Sequence, residues 1–486
     1  MRICLATAHA NPAFTPLALL YLKAFLLERE ALPADDISIL EFDPAASSEA
    51  IAGRALAHAP DLLGLSCYVW NVKTLLAAAR QIKAQQPGIC IVLGGPEIGP
   101  VARSVLERNP SIDCIVNSEG ELPFAEIVAA LQHGGDIAAV KGICLRRGDE
   151  IIETETAPVL RDLNRLASPR DLPGFDAKGR VVCLETQRGC VFRCNFCFYN
   201  KDLSIRNRRF DLDRVKQEIL YWLQQDIAQI YLMDPIFNLN AARAKEICRF
   251  IAAHNRRRIP IHTEAWAEFI DEELARLMQA AHFRFVEIGL QTTDQAVLSA
   301  VERRLRLGPF LAGIDHLKRC DIPFEVQLIY GLPGETRASF RAALNFAAAL
   351  QPPQLAVFPL MVLPGTDLRR KADALGVAFD PEPPYFIRSH RTMSAGDIAY
   401  GIELGEAVAR VGESWTIRLL AREAGVTFAD VIDAWMSWPG AQAAGAAAAD
   451  RARDRRRLRE FILHFCALKR IPPEFYQASA ALEFAA

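Results

Sequence analysis

The chain has 486 residues, too many for a single compact core, so we expect two or three domains. A formal net charge of −2 argues against a general binder of polyanions such as nucleic acid. Apolar residues make up 51% of the chain, yet no apolar run is long enough to span a bilayer and no signal segment opens the sequence. We therefore expect a cytoplasmic protein whose cysteines stay reduced.

Residues 1–150 alternate between strand and helix patterns. The predicted strands are Ile3–Ala6, Ile37–Phe42, Leu62–Ser66, Cys90–Leu93 and Cys114–Val116, and the helical runs between them include Leu17–Arg29, Val72–Gln85 and Pro123–Gln132. Such alternation predicts an α/β domain with a doubly wound parallel sheet. Sheets of this kind bind ligands beyond the carboxyl ends of their strands.

Three strand-end loops of this first domain suit ligand binding. One ends in a small hydroxyl residue, one lets the backbone approach a ligand closely because glycine has no side chain, and one follows the last strand. The candidate residues in these loops are Ser66, then Gly94, Gly95, Pro96 and Glu97, then Glu119 and Gly120. Residues 151–180 are rich in proline and glycine and are predicted to be an ordered linker.

From residue 181 to residue 384 a second alternating pattern begins. The predicted strands are Val181–Glu185, Gln229–Met233, Ile259–Glu264, Phe285–Leu290, Phe324–Tyr330 and Leu355–Met361. Six strand–helix units predict an open, partial (β/α)6 barrel. Right-handed crossovers place the carboxyl end of every strand on one rim.

Three cysteines follow the first barrel strand, at the spacing Cys190-x3-Cys194-x2-Cys197. Iron–sulfur cubes usually take four cysteine ligands, so three would leave one iron open to another ligand. A structural zinc site usually needs four ligands in two pairs, and no partner pair is visible. Buried free thiols remain the other alternative, but three within eight positions are unusual. The spacing therefore favours an iron–sulfur cluster held by these three cysteines.

This loop, with Phe196 directly before Cys197, resembles the cluster loop of the radical S-adenosylmethionine (SAM) superfamily. The resemblance implies a [4Fe–4S] cluster whose open iron binds the amino and carboxylate groups of SAM. It also implies that the other strand ends hold SAM: Asp234 near its amino group, Glu287 and Gln291 at the ribose, Ile329 and Gly331 against adenine, and Glu264 at the end of the third strand.

The three loops of the first domain together resemble the cobalamin-binding domain that precedes many radical SAM barrels. The chain departs from that pattern because it lacks Asp-x-His-x-x-Gly, whose histidine ligates cobalt from below. His9 lies in the corresponding loop without the flanking Asp and Gly, and we interpret it as an ordinary loop histidine. If cobalamin binds, its lower face is then expected to lack a protein ligand. The alternative is a degenerate sheet that has lost its ligand.

Residues 385–486 are predicted to form a helical C-terminal domain. Its helical runs are Ala395–Val411, Ser414–Glu423 and Phe428–Trp435, then an alanine-rich joint at 441–449 and the arginine-rich run Arg451–Leu468. Arginine alternates with acidic residues in that run, which favours a solvated helix face over an RNA-binding arm. The domain order resembles a group of bacterial radical SAM proteins of undefined function, in which this tail covers the barrel mouth.

The resemblance implies a cobalamin-dependent radical SAM enzyme. In the leading hypothesis, a 5′-deoxyadenosyl radical removes hydrogen from an unactivated carbon of a small molecule or natural-product intermediate, and that carbon is then methylated. Flavodoxin or ferredoxin is expected to be the electron donor. A radical SAM enzyme that transfers another group, such as the aminocarboxypropyl group of SAM, or that catalyses a rearrangement is the first alternative. A tRNA-modifying enzyme is disfavoured by the charge, and a non-catalytic iron–sulfur scaffold by the polar strand ends.

Overall fold

A computed structural model describes residues 1–30, 32–200, 207–441, 451–472 and 474, with the backbone alone at 200 and 451–455. Two open α/β sheets follow one another along the chain, and helices complete the C-terminal part. The predicted alanine-rich joint lies outside the described residues apart from Ala441.

The first sheet has seven strands in the order β2-β1-β3-β4-β5-β6-β7. The strands are β1 Ile3–Ala8, β2 Ile37–Phe42, β3 Leu62–Ser66, β4 Cys90–Gly94, β5 Cys114–Val116, β6 Ile143–Arg147 and β7 Glu150–Glu153, and the helices are α1 Leu17–Arg29, α2 Ser48–Ala57, α3 Val72–Gln85, α4 Ala102–Arg108 and α5 Glu121–His133. β1 to β5 are parallel, which confirms the prediction, and the strand order reverses between β1 and β3.

An antiparallel hairpin, β6–β7, extends the first sheet past residue 150 into the predicted linker. The sequence pattern did not predict it. Beyond the hairpin, residues 154–180 contain two short 3₁₀ turns, Leu163–Arg165 and Pro169–Asp171.

Both faces of the first sheet are covered by helices. β1 is buried along its whole length. Its residues Cys4 and Ala6 pack in the layer that contains α2, α3 and α4, whereas Ile3 and Leu5 pack in the layer that contains α1 and α5. Because successive side chains of a strand point to opposite faces, a strand between two layers must be apolar throughout.

The second sheet has six parallel strands in the order β15-β14-β13-β12-β11-β8. These strands are β8 Val181–Leu184, β11 Gln229–Leu232, β12 Ile261–Glu264, β13 Phe283–Gln291, β14 Phe324–Tyr330 and β15 Gln354–Pro359. The helices are α6 Leu212–Gln224, α7 Ala241–His254, α8 Glu272–Ala280, α9 Gln295–Ala300, α10 Leu307–Arg319 and α11 Arg337–Ala349. This is the predicted partial barrel, and no strand end differs from the prediction by more than two residues.

Two short pairs lie outside the main sheets. β9 Gln187–Arg188 pairs with β10 Arg208–Arg209 beside the cysteine loop, and β16 Ala378–Phe379 pairs with β17 Ile387–Ser389 after the barrel. The first domain also extends the barrel sheet, because the backbone of Ala13 and Thr15 bonds to Val181 at 2.9 and 3.0 Å.

The C-terminal helices are α12 Asp367–Arg370, α13 Ala372–Leu375, α14 Ala395–Val411, α15 Trp415–Glu423, α16 Phe428–Ser437 and α17 Arg451–Lys469. Gly401 and Gly405 of α14 lie against Tyr330 of β14 and Val357 of β15. Tyr330 packs on Phe340 of α11, so this is the outer, helix-covered face of the barrel. The expectation that the tail covers the barrel mouth is therefore corrected for α14, which completes the outer helix layer. None of the helices in the described ranges is long and apolar enough to cross a membrane.

The contact between α10 and the turn after β12 gives a stability prediction. A Cβ on Gly313 would lie 1.9 Å from the carbonyl oxygen of Ala267, whereas a Cβ on Gly53 of α2 would meet no atom within 4 Å. Gly313→Ala should therefore lower the free energy of unfolding by about 1–3 kcal/mol or more, because the backbones must separate. Gly53→Ala, the control, should raise it by about 0.5–1 kcal/mol. Urea denaturation measures both, and equal effects of the two changes would contradict the assignment.

Candidate cofactor site

The three cysteines occupy the loop between β9 and the 3₁₀ turn at 198–200, on the rim of the barrel. Gly189, with φ of 88°, turns the chain from β9 into the loop. Cys194 is 6% exposed, while Cys190 and Cys197 are half-buried. Phe196 is partly buried and packs against the apolar core of the barrel. The predicted cluster ligands therefore share one loop at the carboxyl edge of the sheet.

Contacts from distant segments hold this loop. The backbone N–H and side-chain Nδ2 of Asn195 donate to the carbonyls of Val301 and Ala300 at 3.1 and 2.9 Å. The ring of Phe192 stacks on Trp266 with centroids 4.0 Å apart. Since Val301 and Trp266 follow α9 and β12, the loop is fixed against two neighbouring barrel units.

A cation lies beside the cysteines. Arg303 Nη1 is 3.6 Å from Cys194 Sγ, and its guanidinium lies 4.4 Å from the centre of the Trp266 ring. Its other terminal nitrogen donates to the carbonyl of Gly289 on β13. Thiolates are the ligand form of cysteine, and a neighbouring cation stabilises them. The sequence analysis did not identify Arg303 and Trp266, because charged residues after helices and aromatic residues after strands are too common to indicate a site.

The donor set fits a cluster better than a single ion. No three His, Cys, Asp or Glu side chains within the described ranges converge on one metal position. Three sulfurs that bind three irons of a cube lie farther apart than three ligands of one ion. Burial raises the pKa of Cys197 to about 12 and also raises the pKa of Cys190, and the neighbouring cysteine charges add to both shifts. Such thiols require a bound metal to lose their protons.

Asp234 braces the base of the cysteine loop. Its carboxylate is fully buried and accepts hydrogen bonds from the backbone N–H groups of Thr186 and Gln187, at 2.7 and 3.1 Å, and from the Thr186 hydroxyl. Burial raises the pKa of Asp234 to about 7, against the effect of these donors. Its predicted contact with SAM stays a prediction, and this placement favours a role in positioning the loop.

Polar side chains line the inside of the barrel. In the strand register Glu264 is level with Glu287 on the next strand. Glu264 accepts from the Tyr231 hydroxyl at 3.0 Å, and Glu287 bonds His262 and Gln327 at 2.8 and 2.7 Å. Burial, and then the charge of Glu287, raise the pKa of Glu264 to about 7. The two glutamates predicted on sequence grounds therefore lie side by side on neighbouring strands.

The remaining predicted SAM contacts lie along the upper ends of β13 and β14. Gln291 has φ of 69° at a break in the β13–β14 register, and its Oε1 is buried without a hydrogen-bond partner. That orphaned acceptor fits a ligand hydroxyl. Ile329 is half-buried on the face of β14 that carries Gln327. Gly331, with φ of 83°, donates its N–H to Glu335 at 2.8 Å, and this contact fixes the turn after β14.

The glycine loop of the first domain follows β4 and lies against the loop after β3. Gly95 has φ of 117°, and a Cβ there would lie 2.3 Å from the carbonyl oxygen of Cys67, so a side chain is excluded. A Cβ on Gly94 would meet nothing within 4 Å, and Pro96 is exposed and Ser66 half-buried. The backbone at Gly94 is therefore accessible to a ligand. Glu97 instead turns inward and accepts a hydrogen bond from the hydroxyl of Tyr385.

Glu119 turns toward the cysteine loop. It accepts hydrogen bonds from both terminal nitrogens of Arg208, one of them at 2.9 Å, and lies 3.9 Å from Arg188. Glu121 pairs with Arg188 at 2.7 Å. Gly120, between the two, lies against Leu22 of α1. Glu119 and Glu121 therefore join the first domain to the strand that leads into the cysteines.

The loop after β1 carries His9. His9 bonds to Glu41 at 2.6 Å, and Glu41 also accepts from Arg180 at 2.9 Å. This supports the interpretation that His9 is not a metal ligand.

Sequence reasoning missed the loop after β3, where Tyr68 and Trp70 stack with ring centroids 4.5 Å apart and Trp70 is 52% exposed. An exposed aromatic pair at a ligand-binding edge is the signal that would have identified it.

Together, three cysteines with the spacing of an iron–sulfur cluster loop lie on the rim of a partial barrel, which follows a first α/β sheet with a glycine loop after β4. The comparisons with known families agree. Residues 184–347 match the radical SAM superfamily, and residues 3–128 match the B12 binding domain. The chain thus contains a radical SAM domain preceded by a B12-binding domain, and these two domains imply a [4Fe–4S] cluster, SAM and cobalamin as cofactors.

Several known proteins resemble the chain. It is 29% identical over 355 residues to the cobalamin-dependent radical SAM methyltransferase TokK of Streptomyces tokunonensis, a match that covers 68% of this chain and 51% of TokK. It is 28% identical over 309 residues to the 2-(S-pantetheinyl)-carbapenam-3-carboxylate methyltransferase of Streptantibioticus cattleyicolor, covering 59% of this chain and 44% of that protein. The chain thus spans about half the length of these curated relatives.

Solved structures share the fold. The radical SAM methyltransferase TsrM of Kitasatospora setae superposes with a TM-score of 0.66 at 20% identity, covering 82% of each chain. The cobalamin-dependent SAM radical enzyme OxsB superposes with a TM-score of 0.63 at 15% identity, covering 97% of this chain and 75% of OxsB. The order of sheet, barrel and C-terminal region is therefore that of known cobalamin-dependent radical SAM enzymes.

The position of Arg303 predicts an effect on the cluster. Arg303→Met removes a cation from beside Cys194 and should disfavour the more negative, reduced cluster by about 1–2 kcal/mol. For one electron this lowers the reduction potential by roughly 40–90 mV. Arg304→Met, an exposed neighbour, is the matched control and should leave the potential unchanged. A redox titration followed by electron paramagnetic resonance measures both, and equal potentials in the two variants would contradict this role.

The pKa of Glu264 predicts a pH dependence. A carboxyl whose folded pKa is raised above its unfolded value contributes stability that is present in acid and is lost as the pH rises through the folded pKa. The window therefore runs from about 4.5 to about 7. Glu264→Gln lacks this titration, so the stability of the variant relative to the cofactor-free native protein should rise across that window. Urea denaturation at a series of pH values measures the difference, and a constant difference would refute the shift.

Proposed function

We propose that this chain is a methyltransferase that uses SAM and cobalamin to methylate an unactivated carbon of a small molecule or natural-product intermediate. The observation that carries the proposal is that the carboxyl edge of the B12-binding sheet and the cysteine loop are joined through Glu119 and Arg208. Both cofactor sites then serve one substrate. The bound cluster and SAM supply radical chemistry that removes hydrogen from a carbon, and cobalamin carries the methyl group.

The chain's own residues hold and orient these groups. Cys190, Cys194 and Cys197 bind the cluster, and Arg303 compensates part of its negative charge. Gln291, with its unpartnered buried Oε1, accepts a hydrogen bond from a ribose hydroxyl of SAM. We assign Glu287 to the same ribose and Ile329 to the adenine ring, since both face the inside of the barrel.

The substrate space lies at the open side of the barrel. Phe358 on the edge strand β15 is 44% exposed and is level in the strand register with Ile329 of β14, which we assign to adenine. A substrate that covers this ring would exclude water from the reacting carbon. The relatives TokK and the carbapenam methyltransferase are named as methyltransferases, which supports methyl transfer here.

The surroundings of the enzyme follow from its chemistry. The twelve cysteines all lie in the described residues and none of them forms a disulfide, which supports a reducing, cytoplasmic location. A one-electron donor such as flavodoxin or ferredoxin is needed to reduce the cluster. We assign no role to nucleic acid.

Anaerobic reconstitution tests the proposal. The native protein should bind roughly four iron atoms per chain, and incubation with SAM, methylcobalamin and a reductant should yield 5′-deoxyadenosine and S-adenosylhomocysteine. The triple change of Cys190, Cys194 and Cys197→Ala should abolish both the iron content and the two nucleosides. Cys90→Ala, in the first domain, is the control and should leave both unchanged.

The products also separate the alternatives. Methylthioadenosine in place of S-adenosylhomocysteine would indicate transfer of the aminocarboxypropyl group. 5′-Deoxyadenosine alone, at a rate unaffected by cobalamin, would indicate a rearrangement. A fully loaded cluster that never cleaves SAM would indicate an iron–sulfur scaffold and would end the enzyme proposal.

A further inference from the structure

The segment of residues 362–390 lies between the last barrel strand and α14, and we call it the strap. It contains α12, α13 and the β16–β17 pair. Its backbone is fastened next to β15, because the N–H of Ile387 donates to the carbonyl of Leu360, which directly follows β15, at 2.9 Å. Within the strap, the N–H of Val362 donates to the carbonyl of Tyr385, also at 2.9 Å. The strap is therefore held at the barrel rim, where the cofactor loops lie.

One part of the strap contacts the cysteine loop. The N–H of Leu368, in the first turn of α12, donates to the carbonyl of Asn195 at 2.9 Å. Leu368 is fully buried, and Asn195, between two of the cluster cysteines, is 4% exposed. A hydrogen bond between two buried backbone groups at this point resists movement of the loop relative to α12.

Another part of the strap contacts the first domain. The hydroxyl of Tyr385 donates to the carboxylate of Glu97, which ends the run Gly94-Gly95-Pro96-Glu97. Tyr385 is 7% and Glu97 5% exposed, so this hydrogen bond to a charged group is shielded from water. The contact spans 288 positions of the chain.

Arg369 joins the two contacts. Its guanidinium lies 4.6 Å from the centre of the Tyr385 ring and 4.9 Å from that of Phe379, and its Nη1 donates to the carbonyl of Val362 at 2.9 Å. Arg369 directly follows Leu368 in α12. A continuous series of contacts therefore runs from Asn195 through Leu368, Arg369 and Tyr385 to Glu97.

We propose that the strap sets the separation and orientation of the cobalamin relative to the cluster, with Tyr385 as the positioning residue that holds the glycine loop against the barrel. This deepens the proposed function and rests on it. Methyl transfer requires one substrate carbon to lie within reach of both cofactors, and interfaces between domains of one chain move unless specific contacts fix them. The contact between Tyr385 and Glu97 supplies such a fixed point on the cobalamin side.

Tyr385→Phe tests the proposal by removing the hydroxyl and keeping the ring under Arg369. The buried Glu97 loses its donor, and the Kd for hydroxocobalamin, read from its absorbance on titration, should rise on the order of tenfold. Iron content should stay at the native level, because the cysteine loop keeps its contact with Leu368. Tyr221→Phe, on α6 away from both cofactor loops, is the matched control and should bind hydroxocobalamin as the native protein does.

A second measurement reads the geometry directly. In protein that holds cob(II)alamin and a reduced cluster, pulsed electron paramagnetic resonance reports the distance between the two paramagnets. Tyr385→Phe and Arg369→Met should each broaden this distance distribution, whereas Tyr221→Phe should not. Glu97→Gln still offers an acceptor to Tyr385, so it should broaden the distance distribution less than Tyr385→Phe does. The double variant should broaden the distribution by less than the sum of the two single effects.

An unchanged Kd together with an unchanged distance distribution in Tyr385→Phe would overturn the proposal. Neither measurement requires turnover. A chain that proves not to transfer methyl groups would still show the predicted changes if the strap positions cobalamin, so the two failures are distinguishable.

Discussion

The arrangement of the cofactor sites depends on the charge pairing between Glu119 of the first domain and Arg208 beside the cysteine loop. The side chain of Arg208 is 8% exposed. A guanidinium that far from water is strongly destabilising without its partner, so removal of Glu119 would weaken the contact between the two domains at this point. Arg188 extends the pairing to Glu121 and Glu185, at 2.7 and 2.8 Å. The strand that carries Arg188 leads directly into the cysteines, so domain contact and cluster position are set together.

A polar barrel interior is the second consequence of this architecture. Residues of β13 and β14 alternate between buried and half-buried, and the half-buried set carries the glutamates and glutamines. Burying polar side chains lowers the stability of a fold unless they form hydrogen bonds. Here Glu287 forms two hydrogen bonds, and Glu325 accepts one from Gln327 at 2.8 Å. The single orphaned acceptor that we assign a ligand, Oε1 of Gln291, lies toward the cluster end. The polarity therefore serves binding rather than stability.

The sequence was most informative where local spacing determines structure. The cysteine spacing, the period-two strands and the amphipathic helices each depend on residues a few positions apart, and the six barrel strands were predicted nearly in full. The β6–β7 hairpin was missed because Ile143–Arg147 and Glu150–Glu153 are short strands with mixed polarity. Glu97 and Glu119 were correctly placed in strand-end loops, but their partners, Tyr385 and Arg208, lie far along the chain. No local pattern predicts such a pair.

By itself the sequence determined the two α/β domains and the three-cysteine loop, because these follow from periodicity and from ligand spacing, while SAM and cobalamin were implied by the resemblance to known families. Only the tertiary structure decided that Asp234 braces the loop, that Arg303 accompanies Cys194, that α14 covers the outside of the barrel, and that residues 362–390 connect the two cofactor loops. The physical reason is that burial and charge pairing depend on which distant segments meet, and that is fixed by the packing of the whole chain.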